Sequence, residues 1–212
     1  MKIEIITLII ILISFLIGIY FYPQMPEEIA SHWNAQGQVN GYMPKLWGLF
    51  FMPVISLILL AFFILIPKID PLKENIKKFR KYFDIFVIII ILFLFYIYLL
   101  TILWNLGIRF EITQLIIPPI GILFFYAGVL TENSKRNWFI GIRTPWTISN
   151  EKVWNETNRL GGKLFKISGL IALLGILFQD YAILLVIIPI VLASVYTFIF
   201  SYYEYNRLKR RK

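Results

Sequence analysis

Long, nearly uninterrupted apolar runs dominate the hydrophobic pattern of this sequence. Six such runs cover residues 3–22, 46–66, 83–104, 112–130, 164–178 and 182–203. A transmembrane helix needs about 20 mostly apolar residues, and only the fifth run is clearly shorter. Continuous runs favour helices over the strands of a membrane barrel, which alternate apolar and polar residues. The pattern predicts an all-α fold, a polytopic membrane helical bundle with about six transmembrane helices.

The composition indicates that lipid is the solvent of this chain. Of the 212 residues, 59% are hydrophobic, and the mean hydropathy is +0.75. Soluble domains are usually about 45–50% apolar. The chain contains no cysteine, which excludes disulfides, thiolate catalysis and cysteine-bound metals. A net charge of +9 is common in nucleic-acid-binding proteins, but the hydropathy argues against direct nucleic acid binding.

Lysine and arginine residues are distributed unevenly among the connections. If the N terminus is cytoplasmic, 19 of the 21 lie on the cytoplasmic side, and only Lys45 and Arg109 lie outside. Cytoplasmic connections are enriched in these residues, so both termini are expected to be cytoplasmic. Residues 23–45 then form an outer loop, and residues 131–163 form an inner segment. We expect two membrane domains, residues 1–110 with the outer loop and residues 111–212 with the inner segment and a basic tail.

The outer loop is longer than a simple helix connection, which usually has about 2–8 residues. It contains the single histidine of the chain, His32, followed by Trp33 and Asn34. Trp33 and Tyr42 suit the headgroup region, and Gly37 allows a turn with positive φ. We expect a small structured cap against the membrane surface. A lone histidine beside two glutamates lacks the ligand set of a zinc site, so no metal and no cofactor are expected.

The inner segment contains the stretch GIRTPWTISNEKVWNETNRLGG. Pro145 disfavours helical backbone at Thr144, so GIRTPW is expected to be extended or turning. A short interfacial helix should follow, capped by Ser149 or Asn150 and ended by Gly161–Gly162. The inner segment is therefore predicted to lie along the membrane surface before the fifth apolar run.

Arg143 has two interpretations. Its planar guanidinium could hold an anionic partner or a lipid phosphate. Otherwise it binds carbonyl groups of its own loop or is simply one of the positive charges that set the topology. Trp138, Trp146 and Trp154 are expected to be interface anchors. His32 is separated from Arg143 by three apolar runs, and no nucleophile–base pair, metal-ligand cluster or phosphate loop is visible in the sequence. We therefore expect that the protein is not an enzyme.

Two stretches of the chain are similar to the signatures of one membrane protein family. GIRTPWT, followed by VWNETNRLGG directly before an apolar run, resembles the C-terminal signature of the sporulation-delaying-protein immunity family, the SdpI-like membrane proteins. MPEEIASHWNAQGQVNGYMPK resembles the N-terminal H-W-N domain commonly found with it. With their apolar runs, the two signatures cover nearly the whole chain. One position differs from the family pattern. The family commonly has Thr-His-Arg, whereas this chain has Thr157, Asn158 and Arg159.

The resemblance implies a cell-membrane protein that gives immunity against a secreted, membrane-active peptide toxin and signals through a cytoplasmic transcriptional repressor. Toxin binding is expected on the outer loop, at His32, Trp33, Asn34, Gly37 and Tyr42. The cytoplasmic motif, expected to support the bundle or to meet the repressor, comprises Gly141, Arg143, Thr144, Pro145, Trp146, Trp154, Thr157, Arg159, Gly161 and Gly162. Membrane lipids are further expected partners. The alternative function is a lipid or peptide translocator without catalytic activity.

Overall fold

The computed structural model describes residues 2–34 and 36–210, and these residues form eight α-helices and one two-stranded sheet. In chain order the elements are α1 (Lys2–Phe21), β1 (Glu28–Trp33), β2 (Val39–Pro44), α2 (Lys45–Ile69), α3 (Lys73–Lys78), α4 (Arg80–Asn105), α5 (Ile112–Asn133), α6 (Pro145–Ser149), α7 (Glu151–Leu173) and α8 (Ala182–Lys209). Short 3-10 turns lie at Tyr22–Gln24, Leu174–Ile176 and Gln179–Tyr181. The fold is a helical bundle with one small sheet at the position of the expected cap.

Five helices are long and apolar enough to cross a membrane, namely α1, α2, α4, α5 and α8. They coincide with five of the six apolar runs and confirm the prediction of a polytopic helical bundle. The remaining run, residues 164–178, forms the second half of α7 and the turn that follows it. The first half of α7 is rich in charged residues, so the helix as a whole is amphipathic. The count of six spans and the cytoplasmic position of both termini stay predictions.

The long helix α7 corrects the expectation of a short helix that ends at Gly161–Gly162. It begins after Asn150, whose side-chain oxygen accepts hydrogen bonds from the N–H groups of Lys152 and Val153, at 2.9 and 3.2 Å. It then continues to Leu173. Glycine in a helix interior costs about 1 kcal/mol, a local preference that tertiary packing overrides. Both glycines are buried, so they permit close packing and do not terminate the helix.

The GIRTPW stretch is extended only in part. Thr144 is extended, with φ −109° and ψ 163°, as expected for a residue before proline. Pro145, however, begins the short helix α6. Proline suits the first helical position because the N–H that it lacks would have no partner within the helix. The Thr144 side-chain oxygen accepts from the Thr147 N–H at 3.2 Å, and the Thr147 hydroxyl accepts from the Thr144 N–H at 2.8 Å. This reciprocal capping box fixes the start of α6.

The expected cap is a β hairpin. β1 and β2 pair antiparallel, with Ala30 opposite Tyr42 and an irregular register around His32. His32 lies opposite Gly41, where an added Cβ would be 2.9 Å from the Cβ of His32. The glycine therefore leaves room for the histidine. The apolar pattern alone does not predict this sheet, because its strands are only six residues long and mix polar with apolar residues.

The hairpin is fixed to the ends of α2 and α4. Ile29 is buried against Gly48 of α2, where an added Cβ would lie 2.7 Å from the Ile29 Cβ. The side-chain amide of Asn105, the last residue of α4, holds Ala30. Its Oδ1 accepts from the Ala30 N–H at 2.8 Å, and its Nδ2 donates to the Ala30 carbonyl at 3.0 Å. An isolated two-stranded hairpin is marginally stable at best, so these contacts decide whether it forms.

The helices pack in two groups that meet between α4 and α5. One group contains α1, α2 and α4, and the other contains α5, α7 and α8. Four glycines bring α5 and α7 together, Gly121 and Gly128 on α5 and Gly162 and Gly169 on α7. A Cβ at Gly128 would lie 2.5 Å from the Gly162 carbonyl oxygen, and a Cβ at Gly169 would lie 2.6 Å from that of Gly121. Small residues let membrane helices approach closely, which accounts for this glycine seam. The division into domains at residue 110 stays a prediction.

The hairpin and the segment between α5 and α7 lie at opposite ends of the bundle. α2 starts where β2 ends and runs for 25 residues, a length of about 37 Å. At its far end, the buried carboxylate of Asp70 accepts a hydrogen bond from the Trp138 N–H at 2.8 Å. We call the two regions the hairpin end (β1, β2 and the adjoining helix ends) and the motif end (residues 134–150 and the adjoining helix ends).

Candidate functional site

Asn34 organises the turn at the tip of the hairpin. Its Oδ1 accepts hydrogen bonds from the N–H groups of Gln36 at 3.0 Å and Gln38 at 2.9 Å. Its own N–H donates to the Gln38 carbonyl at 2.9 Å. Gly37 has a φ of +73°, which glycine adopts without strain. The expected roles of Asn34 and Gly37 in toxin contact stay predictions, and in the structure both residues define the shape of the tip.

His32 and Tyr42 are the exposed members of the expected outer site. The His32 Nδ1 lies 2.5 Å from Oδ1 of Asn40 on the opposite strand, and the Tyr42 side chain is 62% exposed. Both rings are therefore accessible to a partner. Within the described residues, His32 belongs to no group of three or more His, Cys, Asp or Glu side chains that could hold a metal ion.

Trp33 packs inward against α4. Its ring meets Trp104 edge-on, with 5.7 Å between the ring centroids, and Trp104 is covered in turn by the Arg109 guanidinium at 4.7 Å. The Trp33 Nε1–H is buried and has no hydrogen-bond partner among the described residues. A buried indole N–H usually has a partner, so this donor is an exception in the described part of the chain.

An apolar groove lies beside Trp33, between α5 and α8. Trp33 and Asn34 border it at the hairpin, Ile116 lines it from α5, and Ile183 and Ile187 line it from α8. Its volume is about 310 Å³. Small-ligand pockets usually measure about 300–1,000 Å³, so this α5–α8 groove has room for a few side chains of a ligand.

A polar pocket of about 290 Å³ adjoins the groove. Its lining comes from the hairpin tip, the start of α5 and the turn before α8, and includes Gln36, Glu111, Thr113, Gln114, Gln179 and Asp180. Thr113 lines both cavities, so they are neighbours. Gly37 is close by, since a Cβ there would lie 3.5 Å from Oε2 of Glu111. Of the expected outer residues, Trp33 and Asn34 border a cavity, whereas His32 and Tyr42 line neither.

Four residues of the hairpin end were not expected from the sequence to belong to a site, namely Asn105, Glu111, Thr113 and Asp180. Asn105 anchors the hairpin, and the other three line the polar pocket. Their position was the available signal, because each lies at or near the end of an apolar run on the predicted outer side. Proximity of these ends in the fold could not be read from one sequence.

Asn158 is the centre of the motif end. It is 1% exposed, and its Oδ1 accepts a hydrogen bond from the Ile142 N–H at 2.7 Å. Its Nδ2 donates to the Trp154 carbonyl at 3.1 Å. Gly141 has a φ of +106°, and a Cβ there would lie 2.6 Å from Asn158 Oδ1. Asn158 thus ties the GIRTPW loop to α7.

Trp154 and Asn137 complete the attachment of the loop. Trp154 is fully buried, and its Nε1 donates to the Ser134 carbonyl at 3.2 Å. Asn137, also fully buried, accepts from the Ile140 N–H at 2.6 Å and donates to the Ile140 carbonyl at 2.8 Å. Trp154 was expected to be an interface anchor, but it is a buried core residue. Asn137 was not expected to contribute.

Other motif residues join the loop, α7 and α8. The Thr144 hydroxyl lies 3.0 Å from that of Ser201 on α8. Gly161 lies beneath Ile142, because a Cβ there would meet the Ile142 side chain, and Gly162 belongs to the glycine seam. Thr157 is fully buried, and its Oγ1 has no partner among the described residues. These motif residues are interior residues that shape the end of the bundle.

Comparisons with known proteins match both halves of the chain. Residues 133–201 match the model of the SdpI/YfhL protein family, and residues 9–57 match a domain of unknown function, DUF1648. The protein named Immunity protein SdpI, from Bacillus subtilis (strain 168), is 32% identical over 209 residues, which cover 98% of each chain. The chain belongs to the SdpI/YfhL protein family. No solved structure gives a significant match.

Membership of the SdpI/YfhL family confirms the family resemblance of the two signatures. The family match covers the motif end, all of α7 and most of α8, and the second match covers most of α1, the hairpin and the first half of α2. Together with the five apolar helices, the family identifies a multi-pass protein of the cell membrane.

Only part of the SdpI-family motif is exposed in this chain. Arg143, Pro145 and Arg159 are exposed. The Arg143 guanidinium donates to the Trp138 carbonyl at 2.7 Å, so it does bind a carbonyl of its own loop. Trp146 packs against two aromatic rings of α8, with centroid distances of 5.3 and 5.1 Å. A partner at this end would meet the exposed basic residues, not the buried signature residues.

Proposed function

We propose that this protein is a membrane immunity protein that binds or neutralises a secreted, membrane-active peptide toxin, with the hairpin end as the toxin contact. The observation that carries the proposal is its similarity to the Immunity protein SdpI along 98% of both chains. The similarity covers both signatures, which supports a part for the hairpin and the motif end in the proposed function.

The architecture of the hairpin end supports a contact surface. The hairpin is anchored by Asn105 and Ile29, and it presents the exposed rings of His32 and Tyr42. A surface that is ordered before binding loses less conformational entropy when the partner arrives. The small number of lysines and arginines at this end supports an outer location, where a secreted toxin arrives.

The test is a survival assay. Sensitive cells that express the intact chain are challenged with a panel of membrane-active peptides. They are compared with cells expressing a His32→Ala, Trp33→Ala double variant at matched membrane abundance. We expect selective protection by the intact chain and its loss in the double variant. Because Trp33 also packs against Trp104, a Tyr42→Ala variant tests surface contact separately, and Glu28→Gln is the exposed hairpin control.

The outcomes separate the functional alternatives. Unchanged protection in the double variant would remove the toxin contact from the hairpin. Absence of protection against every peptide would refute the immunity role and favour the lipid or peptide translocator, which predicts substrate-dependent flux in proteoliposomes.

Recruitment of a cytoplasmic transcriptional repressor is a second part of the proposal. Exposure of Arg143 and Arg159 at the motif end supports it, because exposed guanidinium groups can bind carboxylates of a partner. An Arg143→Ala, Arg159→Ala variant should keep toxin protection but lose the transcriptional response to toxin, measured by RNA sequencing. Lys152→Ala is the exposed basic control on α7. An unchanged response in the double variant would exclude these residues as the docking surface.

A further inference from the structure

We propose that the α5–α8 groove and the adjoining polar pocket bind the end of the toxin, and that this end is an apolar segment next to an ammonium group. This inference rests on the proposed function and names the class of peptide that the hairpin end recognises. The ammonium group is either a lysine side chain or a free N terminus, since both present the same charge and the same donors.

The apolar part of the ligand lies in the groove. Ile116, Ile183 and Ile187 form its walls, and Trp33 closes it at the hairpin. Apolar side chains that enter this groove lose water-accessible surface, which favours binding in proportion to the buried area. At about 310 Å³ the groove holds a short apolar segment, and the rest of the peptide remains in the membrane or at its surface.

The ammonium group of the ligand binds to Glu111 and Asp180. Both carboxylates line the polar pocket, and neither forms an ion pair with another described residue. Of the two basic residues at this end, Lys45 is paired with Glu27 at 2.7 Å, and Arg109 lies over Trp104. The two carboxylates therefore have no ion-pair partner within the described part of the chain, and they attract a cation that arrives along the groove.

The indole N–H of Trp33 favours a peptide over a hydrocarbon chain as the occupant. This donor belongs to a side chain that borders the groove; it is buried, has no partner among the described residues, and meets a ligand carbonyl once the indole turns towards the groove. A peptide supplies a backbone carbonyl along its whole length, whereas the acyl chain of a lipid supplies no acceptor at that depth. Apolar walls, an indole donor and an acidic end are together complementary to an apolar peptide with a positive end.

The experiment uses the full chain in nanodiscs of neutral phosphatidylcholine and three labelled 12-residue leucine–alanine peptides. The first is N-acetylated and begins with lysine, the second begins with alanine and has a free N terminus, and the third is N-acetylated and begins with glutamate. Affinity is measured by fluorescence anisotropy. We expect at least one ammonium peptide to bind more tightly than the glutamate peptide, and comparison of the first two identifies the source of the ammonium group.

The variants address the two parts of the site separately. Glu111→Gln with Asp180→Asn should weaken binding of the ammonium peptide by about three- to tenfold, because each exposed ion pair contributes only a few-fold. The difference should shrink at high salt. Ile187→Trp should weaken all three peptides by filling the groove. Glu28→Gln, which removes an exposed carboxylate of the hairpin outside both cavities, should change nothing.

Three results would overturn the inference. Equal affinity for all three peptides would exclude recognition of the ammonium group, and an equal effect of Glu28→Gln would exclude Glu111 and Asp180 as its specific partners. A phospholipid that native mass spectrometry finds on the intact chain but not on Ile187→Trp, with peptide binding unchanged, would make the groove a lipid site. If the Glu111→Gln, Asp180→Asn variant and the Ile187→Trp variant protect cells against the toxin as well as the intact chain does, this inference is refuted and the proposed function stands.

Discussion

Replacement of Asn105 by alanine should release the hairpin from the helix bundle. The change removes two hydrogen bonds to Ala30, one to its N–H at 2.8 Å and one to its carbonyl at 3.0 Å. Ala30 is only 4% exposed, so water does not easily replace the amide. A buried donor or acceptor left without a partner costs about 1–3 kcal/mol. Two such groups therefore weaken hairpin docking by about 2–6 kcal/mol.

Hydrogen–deuterium exchange in nanodiscs measures this effect directly. Since 1.4 kcal/mol corresponds to a factor of ten, exchange of the amides in residues 28–44 should accelerate by at least about 30-fold. Asn105→Asp keeps an acceptor for the Ala30 N–H but loses the donor, and an intermediate effect is expected. Thr101→Ala is the matched control, because it removes a hydroxyl one turn earlier that bonds only within α4, at 3.0 Å.

Two results would refute the role of Asn105 as the anchor. Unchanged exchange in Asn105→Ala would show that Ile29 packing alone holds the hairpin. Equal acceleration in Thr101→Ala would show that the C-terminal turn of α4, and not the amide, controls the docking. Faster exchange throughout all helices would indicate general loss of stability, which also contradicts a local anchor.

Three further variants test the motif end and the glycine seam by unfolding in mixed detergent micelles. Asn158→Leu should lower the free energy of unfolding by about 1–3 kcal/mol because a buried N–H loses its acceptor, whereas the exposed Asn155→Leu should have little effect. Gly169→Ala should cost about 1–3 kcal/mol, since its Cβ would meet backbone atoms of α5 that cannot rotate away. Gly141→Ala should cost more than Gly107→Ala. Both glycines have positive φ, which strains alanine by about 1–3 kcal/mol, but of the two only Gly141 has atoms within 4 Å of an added Cβ.

Each of these expectations has a contradicting result. Equal effects of Asn158→Leu and Asn155→Leu on the free energy of unfolding would show that Asn158 does not support the loop. A stable Gly169→Ala protein would mean that α5 and α7 separate easily. Equal costs at the two glycines with positive φ would attribute the effect to backbone strain alone and would leave no part for the contact with Asn158.

The apolar runs predict the helices well because a span is encoded locally, by about 20 consecutive residues that must avoid water. The β hairpin is different. Its strands are held by Asn105, which is 75 residues away from Ala30 in the chain. Gly161–Gly162 is read locally as a helix end, yet these glycines lie inside α7 because loop and helix α5 pack against them. Such contacts depend on the fold and cannot be seen in the spacing of one sequence.

The residues of the candidate site also differ in whether the sequence alone points to them. His32 stands out in the sequence because it is the single histidine of the chain, and Trp33 because tryptophan suits the headgroup region. Glu111 and Asp180 look like ordinary residues at span ends, and they gain meaning only because the hairpin tip and two connections meet there. The reverse holds for Trp154, whose residue type suggests the interface although it lies in the core.

Helix α2 connects the hairpin end of the bundle directly to the motif end. Its first residue, Lys45, follows the hairpin directly, and Asp70, the residue that caps its last turn, holds the loop at the motif end through the Trp138 N–H. A tilt of about 5° along a helix of about 37 Å shifts the far end by about 3 Å. That distance is comparable to a hydrogen-bond length, so a small rocking of the hairpin would be enough to break or remake the Asp70 contact. α2 therefore joins the hairpin to the Asp70 contact directly, and any coupling between the two ends of the bundle would run along this one helix.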